Sequence, residues 1–258
     1  MKKNLKIGLK LWSINHEYLD EALELYKEGV YQYIELYVVP GSLNTYRNLW
    51  KQPKQLGVPF IIHAPHTRGG LNLARQDQEE ENFKLIKETY EFTELVDPSF
   101  IIFHAGTNGS EEETARQLVR NYRNNIVIEN KPYNALDGGL ICNGYKPSLI
   151  DKIMRLARVG FCFDFGHAIC AANSLEQEYF YFLQSFNELG PSLYHLTDGD
   201  AHGKYDQHLH FGEGDYEIEK ILSLVPEGAM ITLETKKNSK DNLDDFVKDV
   251  SFIRDVCR

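Results

Sequence analysis

The sequence has little of what marks a membrane protein, a disulfide-bonded protein or a protein with a broad nucleic-acid-binding surface. No apolar run approaches the roughly 18 residues that a bilayer-spanning helix needs. A formal net charge of −10 disfavours an extended surface for nucleic acid, although it leaves room for a local basic patch. No C-x-x-C pair occurs among the four cysteines, which favours reduced thiols: Cys142, Cys162, Cys170 and Cys257. The basic N-terminus has no small-residue cleavage site after it, so we expect no signal peptide and a cytoplasmic location.

The chain also lacks any composition break, low-complexity stretch or charge block that would indicate a linker. Its 258 residues match the typical size of about 250 residues for one (β/α)8 barrel. Eight short apolar runs are candidate strands: Leu5–Trp12, Tyr31–Val39, Pro59–Ala64, Phe100–His104, Asn125–Glu129, Val159–Asp164, Ser192–Leu196 and Ala229–Glu234. We therefore predict an α/β protein, a single (β/α)8 TIM barrel over residues 1–258. An open, doubly wound sheet is the competing fold, but no G-x-G-x-x-G turn follows the first strand.

Helical patterns lie between these strands. The apolar spacing over His16–Gly29 predicts a helix that ends on a glycine. Ser110 and Glu113 have the spacing of a capping box, so a helix is expected to begin there. Lys146-Pro147-Ser148 is typical of another helix start, and Asp241–Val256 is the last predicted helix.

Every predicted strand from the third to the eighth ends in a residue type that binds metals. In chain order these residues are His63, His104, Glu129, Asp164, His195 and Glu234. In a barrel, the C-terminal ends of the strands converge on one mouth, where active sites lie. Any one such residue is more often a satisfied structural polar group than a ligand. Six successive strands with the same ending are hard to produce by chance, so the pattern favours a metal centre.

Three further residues extend the same set. His167 follows Asp164 by three positions, and Asp206 and His208 lie in the loop after the seventh strand. Mixed imidazole and carboxylate ligands suit zinc, manganese or iron better than calcium or magnesium. Without a cation, this many buried carboxylates would repel one another at a high free-energy cost. Glu35, inside the second strand, is a weaker candidate for a residue that points into the barrel and supports a ligand.

These segments resemble the xylose-isomerase-like TIM-barrel superfamily, and within it most closely the endonuclease IV family of apurinic/apyrimidinic endonucleases. The segments that carry the resemblance are His63-Ala64-Pro65, Phe103-His104-Ala105-Gly106, Glu129-Asn130, Phe163-Asp164-Phe165-Gly166-His167-Ala168, His195-Leu196-Thr197-Asp198, Asp206-Gln207-His208 with Gly212-Glu213-Gly214, and Leu233-Glu234-Thr235.

The resemblance implies up to three metal ions, usually zinc, with manganese or iron as alternatives. It places His63, His104 and Glu129 around the first ion. Glu129 would bridge to a second ion held by Asp164, His195 and Glu234. His167, Asp206 and His208 would hold the third. The implied activity is hydrolysis of a phosphodiester at abasic sites in DNA, with Glu129 and Glu234 as the catalytic residues. Asp198 and Asn130 are expected to orient ligands.

A sugar, or sugar phosphate, isomerase or epimerase of the same superfamily is the alternative. Such an enzyme needs one metal, for which Glu129, Asp164, His195 and Glu234 suffice, with Glu129 and Glu234 as acid and base on a hydroxy-ketone. The third ligand set favours the endonuclease resemblance. His66 stands where the DNA-processing enzymes carry an intercalating Tyr, so we expect weak engagement of duplex DNA. The expected partner is DNA with abasic sites or a small sugar, with no membrane partner, and the sequence predicts no oligomeric state.

Overall fold

Eight parallel strands form a closed barrel in the computed structural model, which describes residues 3–136 and 138–258. Each strand pairs with its neighbours in chain order, and the eighth pairs with the first. The strands are β1 (Lys6–Trp12), β2 (Tyr33–Tyr37), β3 (Phe60–His63), β4 (Ile101–His104), β5 (Ile126–Glu129), β6 (Gly160–Asp164), β7 (Leu193–Leu196) and β8 (Met230–Leu233). The predicted single (β/α)8 TIM barrel is confirmed, and the open sheet is excluded.

Helices cover the outside of the barrel. They are α1 (Leu19–Lys27), α2 (Leu43–Tyr46), α3 (Lys51–Gln55), α4 (Glu79–Val96), α5 (Glu111–Arg120), α6 (Pro147–Ala157), α7 (Phe165–Ser174), α8 (Tyr179–Asn187), α9 (Ile218–Ser223) and α10 (Asp244–Val256). Half of the predicted capping box forms: Ser110 Oγ accepts a hydrogen bond from the Glu113 amide, whereas the Glu113 carboxylate binds Arg116 and the Ser110 amide donates to the Ala74 carbonyl. Pro147 opens α6 as predicted. Within the described ranges no helix is both long enough and apolar enough to cross a membrane.

The interior of the barrel has two layers, because side chains alternate between its inside and its outside with a period of two. The lower layer is mainly apolar and fully buried: Tyr33, Ile61, Ile102, Val127, Cys162 and Leu193. Two residues further along each of these strands, the same inward direction is taken by Glu35, His63, His104, Glu129, Asp164 and His195. The strand geometry alone therefore stacks a polar layer on an apolar floor.

The floor is closed by a contact between β1 and β2. The Tyr33 ring passes across Gly8, where a Cβ would lie only 2.3 Å from the ring, so this position requires glycine. The Tyr33 hydroxyl lies 2.9 Å from Thr232 Oγ1 on β8 and is fully buried. The polar layer can therefore be reached only from the opposite end of the barrel.

Candidate metal centre

The nine residues predicted as metal ligands lie together at the C-terminal end of the strands. Six of them come from the ends of strands β3 to β7 and from the residue after β8. His167 lies in the first turn of α7, and Asp206 and His208 lie in the loop after β7. They fall into the three sets that the resemblance implies, the first two of which share Glu129. Among the described residues, the ligand atoms of the first set lie close enough together to hold one ion, whereas His167 groups with Glu129 and Asp164, and His195 with Glu35 and Glu234.

The first set joins two histidines to one carboxylate oxygen. His63 Nε2 and His104 Nε2 lie 3.0 and 3.1 Å from Glu129 Oε2. His63 Nδ1 donates to the Ala64 carbonyl at 2.7 Å, which leaves Nε2 free to bind. Burial lowers the pKa of His104 well below its usual value, although Glu129 opposes the shift, so its imidazole is neutral near pH 7. A neutral imidazole is the form that binds a metal ion.

The second set surrounds a buried ring nitrogen of His195. Within the described residues His195 Nδ1 makes no hydrogen bond of good geometry. It lies 2.9 Å from Glu234 Oε1, 3.6 Å from Glu129 Oε2 and 3.9 Å from Asp164 Oδ2. Three carboxylates around one ring nitrogen favour a positive charge at this position, either on the imidazole itself or on a bound cation.

The third set is assembled from α7 and the loop after β7. Asp206 Oδ2 lies 2.8 Å from His208 Nε2 and 3.4 Å from His167 Nε2. His208 has a left-handed backbone, with φ of 51°, and this turns its ring towards the other two. Asp164 also fixes His167, because its Oδ1 accepts the His167 backbone N–H at 2.7 Å and caps α7.

Four of the five histidines have one ring nitrogen next to a carbonyl or carboxylate oxygen. In addition to the His63 bond, His208 Nδ1 lies 2.8 Å from the Glu234 carbonyl, and His167 Nδ1 lies 3.0 Å from both the Asn130 carbonyl and Glu129 Oε1. His195 Nε2 lies 2.9 Å from Glu35 Oε2. Metal-binding histidines usually donate their other N–H to a carbonyl or carboxylate, which fixes the tautomer. The arrangement therefore fits metal ions, and the donor types suit zinc, manganese or iron.

The carboxylates perturb their neighbours strongly. Burial raises the pKa of Asp164 to about 6, and nearby Asp206 adds to the shift while His167 opposes it. Burial alone would lower the pKa of His167, but Asp164 and the other acidic groups raise it to about 10. Such mutual perturbation is typical of a functional site whose charges are not balanced by side chains alone.

Asp198 holds the loop that carries the third set. Its carboxylate oxygens accept the backbone N–H groups of four residues at 2.8 to 3.2 Å: Gly199, Gly212, Gly214 and Tyr216. A Cβ on Gly214 would lie 2.3 Å from the Gly199 carbonyl oxygen, so the close approach depends on glycine. This geometry agrees with the predicted role of Asp198 in orienting ligands.

Two lysines lie within the cluster, and the sequence prediction missed one of them, Lys10. Lys10, on β1, forms ion pairs with Glu234 and, at 3.1 Å, with Glu35 Oε1. Lys131 Nζ lies 3.0 Å from His167 Nε2 and 3.6 Å from Glu129 Oε1. The period-two pattern could have found Lys10, since it lies two residues after the inward-facing Gly8.

A cavity of about 1130 Å³ opens above the three sets. Its wall includes both lysines and the aromatic side chains of Trp12, Tyr37 and His66, whose successive ring centroids lie 5.3 and 5.1 Å apart. His210 Nδ1 binds Asp249 Oδ2 of α10 at 2.8 Å. The cavity therefore combines ligand residues, cationic groups and an aromatic wall.

Comparison with known proteins gives a family model described as "Xylose isomerase-like TIM barrel", which matches residues 23–256. Uncharacterized protein MJ1311 of Methanocaldococcus jannaschii is 23% identical, over 91% of this chain and 80% of that protein. A probable endonuclease 4 from Halothermothrix orenii is 26% identical, over 65% of this chain and 66% of its own.

Two solved structures have the same fold. A D-tagatose 3-epimerase-like protein has a TM-score of 0.72 and 20% identity, covering 97% of this chain and 96% of its own. Endonuclease IV from Thermus thermophilus has a TM-score of 0.68 and 15% identity, covering 97% of this chain and 98% of its own. At these identities the likeness establishes the fold and leaves the reaction open.

Proposed function

Because the chain belongs to the xylose isomerase-like TIM barrel family, we propose that it is a metal-dependent phosphodiester hydrolase that acts at abasic sites in DNA. The observation that carries the proposal is the third ligand set, in which Asp206 lies between His208 and His167. A one-metal sugar isomerase has no use for this set. The similarity to probable endonuclease 4 supports the same choice.

The proposed ligands follow the three sets in the structure. His63, His104 and Glu129 would hold the first ion, and Asp164, His195 and Glu234 the second, with Glu129 shared. His167, Asp206 and His208 would hold the third. Zinc is the expected metal, with manganese or iron as alternatives. When bound, such ions activate water and neutralise the charge of a phosphodiester.

The side chains around the sets would position the substrate. Lys131, Lys236 and Lys237 line the same cavity as the ligands, on a chain with a net charge of −10. Their ammonium groups would bind phosphate oxygens and draw the backbone towards the cluster. Glu129, shared by the first and second sets, would fix the spacing between them. Its substitution would disturb both sets at once.

A sugar isomerase or epimerase is the second candidate, and a specific observation favours it. Glu129 and Glu234 both approach His195 Nδ1, and the Lys10 ammonium group forms an ion pair with Glu234. Two carboxylates and an ammonium group around one position could move a proton between adjacent carbons of a hydroxy-ketone. The similarity to the D-tagatose 3-epimerase-like fold is compatible with this chemistry.

One double variant in the third set separates the two candidate functions. Asp206→Asn with His208→Asn should remove nicking of an abasic duplex at low salt, because only the hydrolase needs the third ion. The same variant should retain any sugar interconversion, because the second set is intact. Nicking by the metal-loaded parent that the variant lacks supports the hydrolase. No nicking by the parent, with ketose conversion abolished by Glu234→Gln, would overturn it.

A further inference from the structure

Five carboxylates converge on the cluster, where the histidines and two lysines are the groups that can balance them. Glu35, Glu129, Asp164, Asp206 and Glu234 all lie within ion-pair distance of one of its histidines. Carboxylates this close repel one another, and burial makes the repulsion stronger. Some cation must compensate them even before any metal ion binds.

Lys10 supplies a positive charge at the second set. Its ammonium group contacts Glu234 Oε1, the same oxygen that lies 2.9 Å from His195 Nδ1. A second contact, at 3.1 Å, joins it to Glu35 Oε1. Burial would lower the pKa of Lys10, but Glu234 and Glu35 raise it, so the group stays charged. A metal ion on Glu234 would lie beside a resident positive charge.

Lys131 lies beside the third set. Its ammonium group is 3.0 Å from His167 Nε2, the ring nitrogen that faces Asp206, and 3.4 Å from Nδ1, so it lies against the face of the ring. It also lies 3.6 Å from Glu129 Oε1. His63 and His104 contact the other oxygen of Glu129, Oε2. The contact of Lys131 with the first set is therefore through the oxygen that the two histidines do not contact.

We propose that Lys10 and Lys131 are resident cations that stand in for the second and third metal ions in the metal-free protein. They withdraw when those ions bind, so the first ligand set fills before the other two. A lysine suits this role because its charge is carried on a flexible four-carbon stem. Both side chains line the cavity, so a withdrawn ammonium group remains available to an anionic part of the substrate. That last step rests on the proposed function, whereas the competition with metal does not.

The test is a metal titration of protein stripped with a chelator. Zinc binding is measured in competition with a chromogenic chelator, without substrate, so the result is independent of the proposed activity. The parent should bind one ion tightly and two more weakly. Lys10→Met should tighten one weak ion by about tenfold or more, and Lys131→Met should tighten the other. The tight ion should change little in either variant.

The melting temperature of the metal-free protein must change in the opposite direction to zinc affinity. Without metal, each methionine variant should melt several degrees below the parent, because the carboxylates lose their counter-charge. Lys10→Arg keeps the charge and should leave both the zinc affinity and the melting temperature near the parent values. Lys152→Met, which removes a surface ion pair with Glu112, is the matched control and should leave zinc affinity unchanged.

The proposal fails if the methionine variants bind zinc more weakly than the parent, since the lysines would then be orienting the ligands. Unchanged affinities, or an equal change in all three ions, would overturn it as well. Should Lys10→Met not fold without metal, Lys131→Met tests the same relation at a separate set. A parent that binds zinc in the predicted order but does not nick DNA would reject only the proposed function.

Discussion

Glu35 and His195 are joined by a hydrogen bond of 2.9 Å between Oε2 and Nε2, and both side chains are fully buried at the centre of the barrel. Thr232 Oγ1 donates to the same Glu35 oxygen at 2.7 Å. The contact fixes which nitrogen of His195 carries the proton and turns Nδ1 towards Glu234. Glu35 therefore orients a predicted ligand without belonging to the predicted ligand set.

The first prediction follows from this contact. Glu35→Met should lower the zinc affinity of the second set by about 10- to 100-fold, because His195 loses the acceptor that fixes its tautomer. Glu35→Gln keeps an acceptor oxygen and should lose less zinc affinity than Glu35→Met. The measurement is a zinc titration of each variant. Equal affinities in the parent and in Glu35→Met would remove Glu35 from any role in the centre.

Metal content is the second prediction. Protein purified without a chelator should contain more than one transition-metal ion per chain, because Asp206, His208 and His167 form a set separate from His195. Elemental analysis measures the stoichiometry directly. His208→Asn should reduce it by one ion per chain. A parent that stays at one ion under metal-replete conditions would favour the isomerase.

Glu129→Gln is the third prediction. Activity should fall by about 100-fold or more, because one residue serves two ligand sets. The fold should persist, since Gln has the same shape and the substitution removes a buried charge. Circular dichroism and a thermal melt check the fold beside the activity assay. Activity within a few-fold of the parent would show that Glu129 is not part of the site.

The fourth prediction concerns stability in acid. Burial, assisted by Lys131 and His63, lowers the pKa of His66 from 6.5 to about 4. Between these values the unfolded chain binds a proton that the folded protein does not, so the free energy of unfolding falls as the pH drops from 6.5 towards 4. His66→Gln should reduce that fall by about 1 to 2 kcal/mol. Urea melts at pH 7, 6, 5 and 4.5 measure the free energy of unfolding of the parent and the variant. If this free energy falls equally with pH in both proteins, the prediction is contradicted.

Much of the fold follows from the sequence because apolar runs and helix caps are local signals. The predicted strand Tyr31–Val39 is longer than β2 by two residues at each end, which is the largest difference in the sheet. The residues at the strand ends were found because a closed barrel brings consecutive strand ends together.

Lys10 was missed for a physical reason. A search for metal ligands selects imidazoles and carboxylates, and an ammonium group is neither. Lys10 meets Glu35 only because β1 and β2 pair in a register that places the two residues side by side. The left-handed backbone of His208 is likewise set by its loop, and no residue type at that position predicts it.

The ring of Tyr33 over Gly8 closes one end of the barrel, so that the other end forms the rim of its opening. Substrate, water and metal ions must all cross that rim to reach Glu129, and the product must leave the same way. Substrate entry and product release therefore share one opening. A polymer cannot pass through a barrel that is closed at one end, so only a short protruding part of a large substrate reaches the polar layer.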